Sequence, residues 1–313
     1  MTTLTGARAA QSPQTKKKRK KRLLQAGMPP ETLVMRIVKG IVLVVLCALV
    51  VVPFLSVVST SLADQQQITE AGGFVLWPTH PSLQAYISLF QGGVVTRALV
   101  ISLLITVVGT AISLLATGSL AYALSRPGSL AHKPLLLTVL ATLLFAPGII
   151  PNYLIVQQLG LLNNYWSLIL PVAVNAFNVI VMRAFFMDIP RELTEAARID
   201  GAGELAVLRH VVLPLSKAVI AVIGLFYAVA YWNAFFNALL YLNDNSMWPM
   251  QLVVRTYVIQ AVSLSDPLNS QVAPPTVAIQ TAILVISIIP ILLVYPFLQR
   301  HFAKGVLTGA VKN

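Results

Sequence analysis

Residues 182–214 read MRAFFMDIPRELTEAARIDGAGELAVLRHVVLP, and they contrast with the chain on either side. Half of the ten acidic residues fall here, Asp188, Glu192, Glu195, Asp200 and Glu204, interleaved with Arg183, Arg191, Arg198 and Arg209. Long apolar runs lie before and after. A short polar hairpin between apolar runs is either a solvated loop or a docking surface. Pro190 suits a first helical position, where no amide hydrogen is needed. Arg191–Ile199 then reads as a short helix, with Asp200-Gly201 as its turn and the glycine free to take positive φ. A second short helix is expected over residues 203–210, stopping before Pro214, with Leu205, Leu208 and Val212 facing the rest of the molecule. Ala196 and Ala197 are small enough to admit another surface closely. These residues alone leave both a partnerless interfacial amphipathic hairpin and a docking element open.

The flanking chain is that of a membrane protein. It is 57% hydrophobic and only 10% charged, with a mean hydropathy of +0.80, against about 25% charged in soluble domains. Uncharged apolar runs of about 20 residues mark transmembrane helices. Six are expected, at residues 37–58, 98–124, 134–155, 166–182, 215–242 and 276–297, inside one membrane domain over 36–300. The runs are continuously apolar and do not alternate with period two, which excludes a closed barrel. The fold class is therefore an all-α membrane protein. The first run follows a basic leader and invites comparison with a cleaved signal peptide, but its 19 uncharged residues at 40–58 exceed the usual core of about 7–15. It is read as a retained helix.

Charge placement orients these spans. Of 22 Lys and Arg, ten precede residue 40, two follow the second span, five surround the hairpin and three lie in the tail. Only Arg97 and Arg255 fall on the other face. So lopsided a distribution sets the hairpin and both termini in the cytoplasm, with the protein crossing its membrane several times. The leader over 1–35, including the basic run at 16–22, is expected to be disordered, and residues 301–313 form a second cytoplasmic tail. A net charge of +12 would suit nucleic acid elsewhere, but beside a membrane it is read as attraction to anionic lipid, with no nucleic-acid partner.

Catalytic signatures are missing. The sequence has no P-loop, dinucleotide turn, nucleophile elbow or Cys/His metal spacing. Its four histidines are scattered, and its single cysteine, Cys47, lies within the first span. The chain is read as a non-enzyme with no catalytic or metal residues. The span centres also lack Asp, Glu, Lys and Arg, the groups that proton- or ion-coupled carriers use as relays. Energy for any transport then comes from outside the chain. Small polar residues at Thr106, Thr110, Ser113 and Thr117 share one helical face, as in helix packing or a polar path. Asn175 and Asn178 in the fourth span, with Tyr227, Tyr231, Trp232 and Asn233 in the fifth, bring amides and aromatic faces together as candidates for a solute path. An interfacial aromatic belt with helix-bonding amides explains the same residues.

Longer patterns carry a resemblance. Glu195-Ala196-Ala197, then three residues, Gly201, nine residues and Val211-x-Leu213-Pro214 match the EAA motif of ABC importer permeases, with valine where isoleucine is usual. The run IPRELTEAARIDGA resembles the form in carbohydrate importers of the maltose type. GLLNNYWSLILP, NAFNVIVMRAFF, WNAFF and FLQRHFAKGVLTGAVK agree with the six-span permease of the oligo- and polysaccharide subgroup.

The resemblance implies a type I importer in which a second permease, an extracytoplasmic sugar-binding protein and two cytoplasmic ATPase subunits work with this chain. ATP and Mg belong to the ATPase subunits, and this chain binds no cofactor. Glu195, Ala196, Ala197, Asp200 and Gly201 become the surface that docks in an ATPase cleft, and the hairpin at 188–214 becomes the lever of alternating access. Two other readings stay open at this point: an importer for another polar solute, and a self-sufficient carrier.

Overall fold

The computed structural model describes residues 32–259, apart from 127, 129, 130 and 146, and residues 276–309. The expectations for the leader before residue 32 lie outside the described residues. Among the described residues the chain is helical, the sole extended pairing being an antiparallel bridge between Ala63 and Pro81.

Two units divide the chain. In the first, ending at Val52, the helix α1 (Leu33–Ser61) has every residue from Leu33 onward exposed. A helix apolar all round and exposed all round belongs in lipid or against another chain. The second unit opens with Pro53. At the end of α1, Thr60 Oγ accepts the Val75 amide (2.9 Å), while Ser61 Oγ pairs with the Tyr86 hydroxyl (2.7 Å). These bonds fold back the segment that carries α2 (Gln65–Glu70) and α3 (Gln84–Gln91). Asp64 caps α2 by accepting from the Gln67 amide (2.9 Å).

The long α4 (Val94–Ser125) follows, then α5 (His132–Leu144) and α6 (Ile149–Gln158). α7 (Trp166–Ile169) runs through a 3-10 turn to Val172, and α8 (Ala176–Met187) leads into the hairpin helix α9 (Arg191–Ile199). Beyond the turn lie α10 (Glu204–Val207), a π-helical turn at Leu208–Val212 and α11 (Leu213–Leu215). The remainder is α12 (Lys217–Trp232), α13 (Phe235–Tyr241), α14 (Met250–Ile259) and α15 (Thr276–Gly309).

Among the described residues, three helical stretches are long and apolar enough to cross a membrane: α1, α4 and Val277–Val294 within α15. Two bent pairs raise this to five if each is one span: Trp166–Val172 with α8, bent by 53°, and Glu204–Leu215 with α12, bent by 84°. The expected third span is two helices, α5 and α6, parted at Gly148 with φ +85°. The expected fifth span breaks at Asn233-Ala234. The loop expected after residue 242 contains α14, whose Met250, Leu252 and Val253 are fully buried.

Three details of the hairpin differ from expectation. Pro190 sits at the N-cap, one residue before the helix. Pro214 does not end the second helix, because the π turn just before it changes the pairing that proline would block. Leu205 is 78% exposed, whereas Val207 (0%) and Val212 (2%) are buried. Residues five apart share a face in a π turn, so the inward stripe shifts from the three- and four-residue spacing of an α-helix.

The core has two parts, and α4 passes through both. Its first turns, at Val95 and Ala98, join Met250, Val253, Ala282 and Ile283. The rest, from Ile101 to Leu124, packs with Val179, Met182, Val212, Ile223 and Tyr231. The closest approach is between α4 and α12. A Cβ added at Gly109 would lie 2.8 Å from the Tyr231 ring, whereas one at Gly118 would meet only Met182 Sδ at 3.8 Å. Gly109→Ala is expected to destabilise the protein by about 1–3 kcal/mol and Gly118→Ala to be nearly neutral. Thermal melting of the purified complex checks both, and equal melting temperatures would contradict the packing.

Candidate functional site

The tip of the hairpin is a Schellman turn. Asp200 closes α9, the Gly201 amide donates to the Arg198 carbonyl (3.0 Å), and the Ala202 amide donates to the Ala197 carbonyl (2.9 Å). This pattern satisfies the last carbonyls of a helix and requires a left-handed residue. Gly201 supplies it with φ +85°, and nothing lies within 4 Å of where a Cβ would stand. The glycine is thus required by its backbone angle and not by crowding. Glu195, Ala196, Asp200 and Gly201 are exposed, with Ala197 half-buried behind them. All five motif positions therefore lie on one small turn, flanked by Ile199, 87% exposed, and Leu205. On the inner side Thr194 is buried, its hydroxyl donating to the Arg191 carbonyl (2.9 Å).

A tyrosine ties this turn to α4. The Tyr122 hydroxyl donates to Glu204 Oε2 (2.7 Å) and accepts from Arg126 Nη2 (3.0 Å), while the Arg126 guanidinium lies 4.8 Å from the Tyr122 ring centre. Glu204 also accepts from Arg198 across the hairpin, closing α9 onto α10. The Tyr122 hydrogen bond foremost, helped by Arg198, holds the Glu204 carboxyl below the usual carboxylate range, against an opposing effect of burial second in size to the Tyr122 bond. A depressed carboxylate pKa means that the contact is complete above the ordinary value and is lost as pH falls through the lower one. The contact is closed at neutral pH. Tyr122 and Arg126 stand outside the motif, and Glu204 carries no recognisable sign of its role. The partners are 82 residues apart in sequence, so no spacing pattern reveals them.

At some distance along the same helix, four of the expected path residues meet. Asn175, Asn178, Tyr227 and Tyr231 line an open cavity of about 430 Å³, joined by Asn237. The Tyr227 hydroxyl pairs with Thr117 Oγ (2.7 Å) and accepts the Asn175 amide (3.0 Å). The Tyr231 hydroxyl pairs with Ser113 Oγ (2.8 Å). Asn175 Oδ1 caps α8 by accepting the Asn178 amide (3.2 Å). The two tyrosine rings stack at 6.5 Å, so their faces and the amide edges make a wall without a charged side chain. Such a wall offers hydrogen-bonding edges and aromatic rings with no charge of its own.

Trp232 and Asn233 lie elsewhere. Trp232 is buried, donates from Nε1 to the Ser287 carbonyl (3.2 Å), and borders a separate apolar groove with Thr106 and Thr110. Asn233 is exposed and ties off α12 by donating to the Val229 carbonyl (2.9 Å). The hydroxyl stripe of α4 is thus split, with Ser113 and Thr117 supporting the cavity and Thr106 and Thr110 facing away. Among the described residues, no group of three or more His, Cys, Asp or Glu is placed to hold a metal.

Residues 115–308 match the family described as the binding-protein-dependent transport system inner membrane component. The chain is 44% identical over 266 residues to the polygalacturonan/rhamnogalacturonan transport system permease protein YtcP of Bacillus subtilis (strain 168), covering 84% of this chain and 93% of that one. It is also 44% identical over 268 residues to Protein LplC of the same organism, covering 85% and 90%. Among solved structures, a chain of a bacterial ABC transporter involved in the import of the acidic polysaccharide alginate superposes with a TM-score of 0.81. Its sequence is 29% identical, and the match covers 88% of this chain and 100% of that chain. With more than half of its length inside the family match and both relatives aligned nearly end to end, the chain belongs to the binding-protein-dependent transport system inner membrane components, the permease subunits of ABC importers.

Proposed function

We propose that this permease carries a carbohydrate, an oligosaccharide released from a larger polysaccharide, from an extracytoplasmic binding protein into the cytoplasm by alternating access. The observation that carries the mechanism is the Schellman turn. It presents Ala196, Asp200 and Gly201 on an exposed rim, with Glu195 exposed beside them and Ala197 half-buried behind, and is joined through Tyr122 to α4. That rim fits the cleft of an ATPase subunit. Two such subunits, holding ATP and Mg, and a second permease complete the complex. The excess of Lys and Arg on one face supports six spans with both termini and the hairpin cytoplasmic, α5 with α6 forming the third span.

In this reading ATP closes the ATPase pair and the hairpin moves as one body, its two helices clasped by Arg198 and Glu204. Tyr122 passes the displacement to α4. The same helix holds Tyr227 and Tyr231 through Thr117 and Ser113, so the cavity wall shifts with it. The solute class rests on the uncharged amide and aromatic lining and on the carbohydrate polymers for which YtcP and the alginate importer are named.

Three outcomes are expected. Gly201→Val forces a branched side chain into a left-handed angle, costing about 1–2 kcal/mol in the turn. It should abolish uptake while leaving membrane insertion and the melting of the spans unchanged; normal uptake would sink the coupling role. Tyr122→Phe removes one hydroxyl, about 1 kcal/mol, and should lower uptake several-fold without lowering ATP hydrolysis, a split that direct assay of both rates detects. Asn178→Ala should raise the KM for solute transfer with ATPase subunits still bound, and an unchanged KM would remove it from the path.

A further inference from the structure

Behind α9 lies another cavity, of about 300 Å³, walled by the end of α4, the start of α5, the end of α8 and the inner face of α9. Arg126, His132, Arg183, Arg191 and Arg198 line it, against a single carboxylate, Glu195. Only Arg198 has a carboxylate partner among the described residues, and that partner is Glu204. Arg183 donates from Nε to the Leu124 carbonyl (2.8 Å), which fixes its guanidinium without neutralising it. Arg126 is held by the Tyr122 hydroxyl and ring and feels the Glu204 carboxylate across that hydroxyl, but makes no ion pair with it. Its Nε and His132 Nδ1 are buried with no hydrogen-bond partner among the described residues.

Several guanidinium groups gathered around one hollow repel one another, and the cost rises as water is excluded. A fold that holds them there anyway is shaped for an anion. Planar guanidinium forks match the oxygens of phosphate better than those of any spherical ion. The position narrows the source. Two helices that enter the apolar region, α4 and α8, end at this cavity, and Phe186, Met187 and Ile189 also line it. That places the arginines at headgroup depth with apolar contact beside them. Basic pockets between membrane helices on the cytoplasmic side take acidic lipid headgroups.

We propose that this cavity binds the phosphate of an anionic phospholipid from the cytoplasmic leaflet, and that the bound headgroup braces α9 against α4 and α8. The site rests on the cytoplasmic orientation proposed above, but not on the identity of the solute.

The test uses the assembled importer in nanodiscs of phosphatidylcholine with a minority of phosphatidylglycerol. Native mass spectrometry then counts the phosphatidylglycerol that stays bound. The wild type should retain it in preference to phosphatidylcholine, and Arg183→Gln and Arg191→Gln should each weaken retention by about fivefold. Arg191 is exposed, so its variant should melt as the wild type does and separates lost binding from lost folding. Undiminished retention in both variants overturns the site. Arginine-dependent binding of inorganic phosphate, with no preference for phosphatidylglycerol, would overturn the lipid as its source while keeping the phosphate chemistry. Cross-linking of an acidic ATPase segment into the cavity would overturn both. Lipid counting needs no transport, so a wrong solute leaves this result intact, and a wrong lipid site leaves the carbohydrate reading intact.

Discussion

The contact on which the rest of the molecule depends is the seam between α4 and α12, where two tyrosine hydroxyls from one helix meet two small hydroxyl residues of the other. Gly109 lets the helices approach until the Tyr231 ring fills the space of a missing side chain. Ser113 and Thr117 then satisfy polar atoms that would otherwise be stranded in an apolar interior. Lipid provides little hydrophobic drive for helices to associate, so close packing and buried hydrogen bonds carry that task. α8 is drawn into the same seam when the Asn175 amide donates to Tyr227. One set of bonds therefore holds three helices together and shapes the cavity wall.

In the proposed cycle, motion imposed at the hairpin would reach this seam along α4. The Tyr122 contact lies near one end of α4 and the Thr117 and Ser113 contacts further along it, all on the same unbroken helix. The bend of 84° between Glu204–Leu215 and α12 keeps the hairpin from being a simple extension of the wall helix. Two routes therefore connect the hairpin to the wall, one through α4 and one through the chain. The surface ion pair between Arg198 and Glu204 adds at most about 1 kcal/mol by itself; its worth is geometric, since it makes two short helices move as one.

What could be read from the sequence was what depends on near neighbours. Continuous apolar runs disclosed the membrane class, and Asp200-Gly201 disclosed a left-handed turn, because the requirement for positive φ is local. The Ala-Ala pair and its spacing to Gly201 disclosed the family. What escaped was set by tertiary packing. An α-helical period places Leu205 inward, but the π turn changes the period after Val207. A proline such as Pro214 stops a regular helix, and the altered pairing removes that conflict. Tyr122 resembled any aromatic residue near a span end until Glu204, far along the chain, closed on it. Trp232 and Asn233 follow Tyr231 directly in sequence, yet the turn of α12 carries Trp232 to the far side and Asn233 out to solvent.

The length of α4 has a consequence for the surrounding bilayer. Thirty-two residues at 1.5 Å each make a rod of about 48 Å, against a hydrocarbon layer of about 30 Å. The surplus must be absorbed by tilt or by helix standing clear of the acyl chains. Tyr122 occupies the last turn of that surplus, where it meets a carboxylate that hydrocarbon would not accommodate. A thicker membrane would draw this turn toward the acyl region and penalise the ionised partner; a thinner one would leave more of the rod free to lean. In the proposed cycle, membrane thickness would then bear on the angle at which α4 meets the hairpin.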